Sequence, residues 1–454
     1  MPRQLAQQVL EGIEEDDAYS HIALDAALRR SALDARDRGL VTELVYGTLT
    51  WQRALDTIVG QFVDSGIASL ELPVRVALRL AVYQIVFLDR IPAHAAVNQA
   101  VDIVKAGPSR RASGLVNAVL RNLLREDAIQ WWRDEDREKK PSRYLGQRYS
   151  LPNWLGHRML QTWGLRQAEA MAAAFAERPP LYLRRVSPGD APVDKLPEGV
   201  APAQFGACPA VPGAFLADAI EDTVRKGLER GEWVVQDLGS QLIGLFSGAE
   251  PGMQVLDACA GLGGKTLHLA ELVGAEGHVV AVDPVQSKLQ ILRETAEQAK
   301  LLGRISTHKN ELQSYVEAEA RAGEPKRFDL VLLDAPCSGL GVIRRHPETR
   351  WRRDKSDILA LADIQKKLLD VAAQQTKVGG TLVYSVCTFS REEGAGQIAA
   401  FLENHPEFEA LGPPTQGPGA TIDWTPFLNE DGQLWLNPLE HGTDGFFAAR
   451  LRRR

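Results

Sequence analysis

From Gly252 to the end of the chain, short apolar runs alternate with amphipathic stretches, and this alternation restricts the fold more than any other feature. Residues 253–259, 278–283, 304–309, 329–334 and 381–387 each read as a strand. Residues 267–272, 287–301 and 356–377 read as the helices between them, and residues 445–451 add a late strand. Runs apolar throughout, such as Leu330, Val331, Leu332 and Leu333, suit strands covered on both faces. The alternation predicts an α/β domain with a doubly wound parallel sheet. Gly379-Gly380 reads as the stop of the long helix. Ser390-Arg391-Glu392-Glu393 reads as a capping box that opens a further one.

In such a sheet, ligands bind beyond the carboxyl ends of the strands, and several chemistry-bearing residues fall there. The first group is Asp257-Ala258-Cys259-Ala260-Gly261-Leu262-Gly263-Gly264-Lys265-Thr266. Its glycines let a ligand approach the backbone, and the following helix offers free N–H groups. A phosphate-binding loop needs a first glycine where Cys259 stands, and a dinucleotide fingerprint needs a last glycine where Thr266 stands. S-adenosylmethionine, with no pyrophosphate to cradle, is the third option. Asp283, ending the second strand, is placed to accept ribose hydroxyls, which points to a nucleoside cofactor.

Asp334 puts a carboxylate at the end of the fourth strand, and Pro336 removes a backbone donor so that the strand stops. Cys337-Ser338-Gly339 follows. At the end of the fifth strand, Tyr384-Ser385-Val386-Cys387-Thr388 brings a second thiol to the same edge. Strands four and five are neighbours in this topology, so both thiols face one pocket. A cysteine thiolate is a strong nucleophile whose pKa, ordinarily about 8.5, falls beside cations.

The first 140 residues read as a helix bundle. Leu5, Val9 and Ile13, then Leu40, Leu44 and Leu55, then Val76, Leu80 and Ile85 recur at helical spacing. Pro73 and Pro92 mark helix starts. Arg29, Arg30, Arg110, Arg111, Arg121 and Arg125 are either solvated or phosphate-contacting. Residues 131–140 read as a linker or exposed helix end. Beyond it lie a helix at 155–175, an alternating strand at 179–186 and a Pro/Gly-rich loop at 188–212, a small α+β module.

Four cysteines, Cys208, Cys259, Cys337 and Cys387, form no C-x-x-C pair and have no histidine at zinc spacing, so neither a disulfide framework nor a bound metal is expected. No apolar stretch reaches membrane-spanning length and the N-terminus lacks an apolar core, so a cytoplasmic, membrane-free protein is expected. The net charge of −7 excludes a uniformly basic nucleic-acid coat. Local basic segments survive: Arg344, Arg345, Arg350, Arg352, Arg353 and Lys355 stand against Glu348 and Asp354, directly after the Cys337 turn, as candidates for RNA phosphate contact. The arginine-rich end, Arg450 and 452–454, is weaker evidence.

The paired motifs Asp334-Ala335-Pro336-Cys337-Ser338-Gly339 and Tyr384-Ser385-Val386-Cys387-Thr388 resemble the two-cysteine signature of RNA cytosine-5 methyltransferases. Residues 257–266 resemble their cofactor loop, which usually has Ala-Pro where this chain has Gly261-Leu262. Gly341-Val342-Ile343-Arg344-Arg345-His346-Pro347-Glu348 and Val235-Gln236-Asp237 with Ser240-Gln241 resemble the same family. Residues 91–105 are similar to the antiterminator NusB. Together these resemble the RsmB/Sun/Fmu layout. The resemblance implies a NusB-like RNA-binding bundle (1–140), a small RRM-like α+β domain (141–235) and a class I, Rossmann-like methyltransferase domain (236–454).

It further implies a monomeric enzyme that uses S-adenosylmethionine to make 5-methylcytosine in small-subunit ribosomal RNA, at cytosine 967. Cys387 would attack C6 of the base, Cys337 would assist product release, and Asp334 would hold the cytosine, the cofactor or both. Cys259, Ala260, Gly261, Leu262, Gly263, Gly264, Lys265, Asp283 and Asn310 would bind the cofactor. Asn310 stands where the family usually has Asp, so it keeps the hydrogen bond to adenine without the charge. A tRNA or other rRNA target, and a non-catalytic RNA-binding factor, are the alternatives. DNA cytosine methyltransferases place the nucleophile in the Pro-Cys motif and need a Glu-Asn-Val motif that this chain lacks.

Overall fold

The computed structural model describes residues 2–16, 18–126, 129–186, 196, 199–203, 205, 210–323 and 326–454. Most of the expected loop at 188–212, with Cys208, lies outside the described residues. The chain divides into two compact units, residues 1–177 with 343–354, and residues 178–342 with 355–454. Among the described residues no helix is long and apolar enough to cross a membrane.

The first unit is a helix bundle. Its helices include Pro2–Glu15, Ser20–Arg30, Ala35–Thr50, Gln52–Val59, Leu72–Phe87, Ala93–Ala106 and Ser113–Leu123. Val9, Ile13, Leu44, Leu55, Val76 and Leu80 join one apolar core, with Leu5, Leu40 and Ile85 packed around it. Leu72–Phe87 is buried from Val74 through Gln84 along an unbroken stretch except Arg75, as expected of a helix apolar on nearly every face. Pro73 sits in its first turn and Pro92 caps Ala93–Ala106, where a missing N–H costs nothing. The one cation in that central helix's buried stretch, Arg79, is bidentate to Asp56 at 2.6 and 2.8 Å and also reaches Glu14 at 3.0 Å.

The domain division differs from that expected at 140. Helices Pro141–Arg148 and Asn153–Ala176 belong to the bundle unit, held by Glu169, which accepts from Tyr144 at 2.7 Å and Arg137 at 2.8 Å. Residues 343–354 belong to it as well. Arg350 is fully buried there, and its guanidinium donates to the carbonyls of Thr50, Ser150, Phe175 and Ile343. Arg352 donates to Ile13 and Ala18 carbonyls and lies over the Tyr19 ring. Trp351 donates to Leu49 O at 3.1 Å.

This corrects the reading of Arg344, Arg350 and Arg352 as RNA contacts. Arg350 is inaccessible, Arg344 is buried, and Arg352 spends donors on backbone; Arg345 and Arg353 are half-buried. A buried guanidinium that satisfies carbonyls is a bolt for the fold, so removing it strands acceptors and opens a cavity. Arg350→Ala is expected to lower unfolding free energy by about 2–4 kcal/mol in urea denaturation. A loss below about 0.5 kcal/mol would show that the guanidinium holds nothing together.

The second unit carries two sheets. Strands β1 (Leu181–Arg185), β2 (Val200–Pro202), β3 (Ala214–Ala217) and β4 (Trp233–Val235) form an antiparallel sheet in the order β2-β3-β1-β4. The larger sheet contains β5 (Gln254–Asp257), β6 (His278–Val282), β7 (Ile305–His308), β8 (Phe328–Asp334), β9 (Thr376–Val386), β10 (Phe408–Leu411), β11 (Leu434–Leu436) and β12 (Phe446–Arg453). Its order is β10-β12-β9-β8-β5-β6-β7, with β11 also on β12. Strands β5 to β9 run parallel and β12 is antiparallel to β9. This is the doubly wound arrangement expected from the alternation, and it matches the class I methyltransferase fold that the resemblance implies.

Both faces of that sheet are covered. Val255, Leu330, Leu332 and Val383 enter one core, and Leu256, Val331, Leu333 and Leu382 the other, the period-two alternation of a strand buried on both sides. Two local readings change. Gly379 and Gly380 lie inside β9, because the helix Lys355–Gln375 ends before them. No capping box forms at 390–393; the next helix is Ala395–Asn404, and the Glu393 carboxylate points into the reaction edge instead.

Candidate active site

Sheet register sets the site. Asp334 at the end of β8 lies opposite Ser385 of β9, so the residues just beyond each strand, Cys337 and Cys387, share one edge. Their sulfurs are 3.1 Å apart, and neither is in a disulfide. The Cys337 thiol is pushed far above the ordinary range, first by its hydrogen bond with Cys387, then by burial and by the nearby Glu393 charge. Cys337 therefore holds its proton, within hydrogen-bond distance of the Cys387 sulfur.

Asp334 is the polar hub beside them. Its Oδ2 accepts from Lys265 Nζ at 2.6 Å and its Oδ1 from Ser385 Oγ at 2.7 Å. Burial alone would discharge Lys265, but the Asp334 carboxylate outweighs it and holds the ammonium charged above its usual range. Lys265 also interacts electrostatically with Cys387.

The Gly-rich turn behaves as its composition requires. Gly263 has φ +87°, and a Cβ there would stand 2.1 Å from Leu292 Cδ1, so only glycine fits. Gly261 N donates to Asp283 Oδ2 at 2.9 Å, and Val285 N donates to Asp283 Oδ1 at 2.9 Å. Asp283 thus ties the turn to the end of β6. Behind it, fully buried Asp257 accepts from Thr266 Oγ1 at 2.6 Å, and burial raises its carboxyl to about 7. Burial likewise raises the Cys259 thiol, which makes Cys259 a poor nucleophile. Leu262, next to Gly261, and Val285 leave apolar surface exposed. Asn310 is half-buried in the turn after β7, one strand further from the cysteines.

Several residues that organise the site were given no role in it by the sequence. Glu393, fully buried, accepts from Ser338 N at 2.7 Å, Ser338 Oγ at 2.6 Å, Gln365 Nε2 at 3.1 Å and Thr388 Oγ1 at 3.3 Å. Gln365 also donates to Pro336 O at 2.9 Å. One carboxylate therefore braces both cysteine-bearing turns. Gly341 N donates to Cys387 O at 2.9 Å, and Gly341 meets Gly445 back to back, where a Cβ would lie 2.0 Å from Gly445 O. The Val235-Gln236-Asp237 motif also finds its reason. Gln236 accepts from Arg184 of β1 at 2.7 Å and donates to Gly264 O at 3.1 Å, linking the small sheet to the Gly-rich turn.

Two stretches of the chain match known families. Residues 248–452 match the family described as 16S rRNA methyltransferase RsmB/F, and residues 1–125 match the NusB family. The chain is 35% identical over 461 residues to a protein of Synechocystis described as a probable ribosomal RNA small subunit methyltransferase B, covering 99% of each. It is 34% identical to a Bacillus subtilis protein of the same description, covering 100% of this chain and 98% of that one. A solved methyltransferase homologue from Pyrococcus horikoshii superposes with a TM-score of 0.55 at 25% identity, covering 69% of this chain and 99% of that one.

Proposed function

The chain belongs to the RsmB/F family of 16S rRNA methyltransferases and is an RNA methyltransferase, and from that premise we propose that it methylates C5 of a cytosine in 16S ribosomal RNA through a covalent bond between Cys387 and C6. The carrying observation is the pair of sulfurs 3.1 Å apart on the edge that also holds Asp334 and Lys265.

C5 of cytosine is a poor nucleophile. Addition of the Cys387 thiolate to C6 turns the ring into an enamine whose C5 can take a methyl group. S-adenosylmethionine supplies an electrophilic sulfonium methyl when bound. The residues present fit it: a glycine cradle that a Cβ would fill, exposed apolar Leu262 and Val285, and an Asp283 carboxylate with lone pairs left over from its two backbone bonds. Residues 259–265 and Asp283 would hold the cofactor, with Asn310 at the adenine.

Asp334 would accept from the cytosine amino group with its remaining lone pairs. Lys265 would counter the negative charge that thiolate addition sends into the ring. A base, which we take to be water or hydroxide entering this edge, would then accept the C5 proton; the freed electron pair restores C5=C6 while the C6–sulfur bond breaks with its pair on Cys387, which leaves as thiolate. Cys337, which holds its proton beside Cys387, would serve this release. The base must leave its stack to reach the two sulfurs.

Bisulfite sequencing of ribosomal RNA from a deletion strain tests the reading. One 16S cytosine, position 967 by family resemblance, is expected to lose protection and to regain it on complementation with wild type but not Cys387→Ala. A methylation loss confined to tRNA would reassign the substrate, and no loss at all would sink the proposal.

A further inference from the structure

The bundle unit contains a second cluster of chemistry-bearing side chains. His21 opens the helix Ser20–Arg30, and His346 and Glu348 come from residues 343–354. One ligand-type atom from each lies within 4.8 Å of the other two. The two imidazoles meet edge to face with centroids 4.9 Å apart.

Three buried atoms here have no hydrogen-bond partner: His21 Nδ1, His346 Nδ1 and Glu348 Oε2. Glu348 is only 2% exposed, and its other oxygen is fixed by Ser20 N at 3.0 Å. Orphaned buried polar atoms are costly, and one on each residue of this three-residue cluster can share a single remedy. From this cluster we propose that His21, His346 and Glu348 bind a divalent transition-metal cation of the zinc class, unconnected with methyl transfer.

The donor set selects the class. Two imidazoles and one carboxylate suit borderline ions such as Zn²⁺, whereas Mg²⁺ and Ca²⁺ prefer all-oxygen shells. Zinc accepts a fourth ligand from water in such three-residue sites. The ion would staple residues 343–354 to the first turn of the helix Ser20–Arg30, alongside the Arg350 and Arg352 bonds. A bound ion here would run against the metal-free expectation, which rested on sequence spacing alone.

The test uses the full-length protein, stripped with chelator and dialysed against micromolar zinc chloride. About one equivalent of zinc per chain is expected by elemental analysis, with a higher melting temperature in its presence. Cobalt chloride should give the visible bands of a tetrahedral complex without the near-ultraviolet charge transfer of a thiolate, which separates this site from Cys337 and Cys387. Glu348→Gln, which can still accept from Ser20 N, and His21→Ala should each lose the bound ion while keeping the circular dichroism of wild type. Retention of less than a tenth of an equivalent by wild type overturns the proposal. So does a thiolate charge-transfer band, or undiminished binding by both variants.

Discussion

Cys387→Ala is expected to reduce methyl transfer at least ~10,000-fold and to abolish every covalent protein–RNA species, while cofactor affinity stays within about twofold of wild type. The size follows from losing a covalent nucleophile, for which no neighbour substitutes. Cys337 cannot take over, because its proton is held by the hydrogen bond to Cys387, burial and the Glu393 charge; truncation of Cys387 removes the first of these but leaves the others. Cys259 is further from the role, since burial raises its thiol too. The measurement is single-turnover transfer of radiolabelled methyl to 16S RNA, with calorimetric titration of the cofactor alongside. A rate within tenfold of wild type would place the nucleophile elsewhere.

Cys337→Ala should give the opposite signature. Attack and methylation proceed once, then resolution fails, and a denaturant-resistant protein–RNA adduct accumulates towards one equivalent. Multiple turnover should fall by ~100-fold or more, the scale of a lost general acid–base group, while the first methyl transfer changes little. The reasoning is geometric. The Cys337 sulfur is the hydrogen-bond partner of Cys387, 3.1 Å away, and the two turns that carry them are locked to one another by Glu393. A denaturing gel of enzyme with labelled RNA reads the outcome directly. An adduct with Cys387→Ala and none with Cys337→Ala would exchange the two roles.

Glu393 and Arg350 show why parts of this molecule are hidden from a linear reading. Ser390 and Glu393 have capping-box spacing, and the same spacing serves a carboxylate turned towards Ser338, 55 residues earlier. Local pattern does not distinguish a side chain that folds back from one that reaches across the sheet. Arg350 sits among six basic residues and reads as a phosphate contact. It is instead fully buried against carbonyls from residues as distant as Thr50. Charge in a sequence says what a residue is, and burial decides what it can touch.

The methyltransferase half was legible because its signals are local and repeat. Apolar runs of strand length, a glycine turn that only Gly263 can make and an Asp at a strand end are each set by backbone sterics and burial within a few residues. Strand alternation places Asp283, Asp334, Cys337 and Cys387 on one edge before any coordinate is known. What only the tertiary structure decided are the long-range pairings: Lys265 on Asp334, Glu393 across both cysteine turns, residues 343–354 inside the helical unit, and His21 meeting His346 and Glu348. Ser20 and Glu348 are 328 positions apart. No spacing rule spans that distance, because such contacts depend on which surfaces the packed cores bring together.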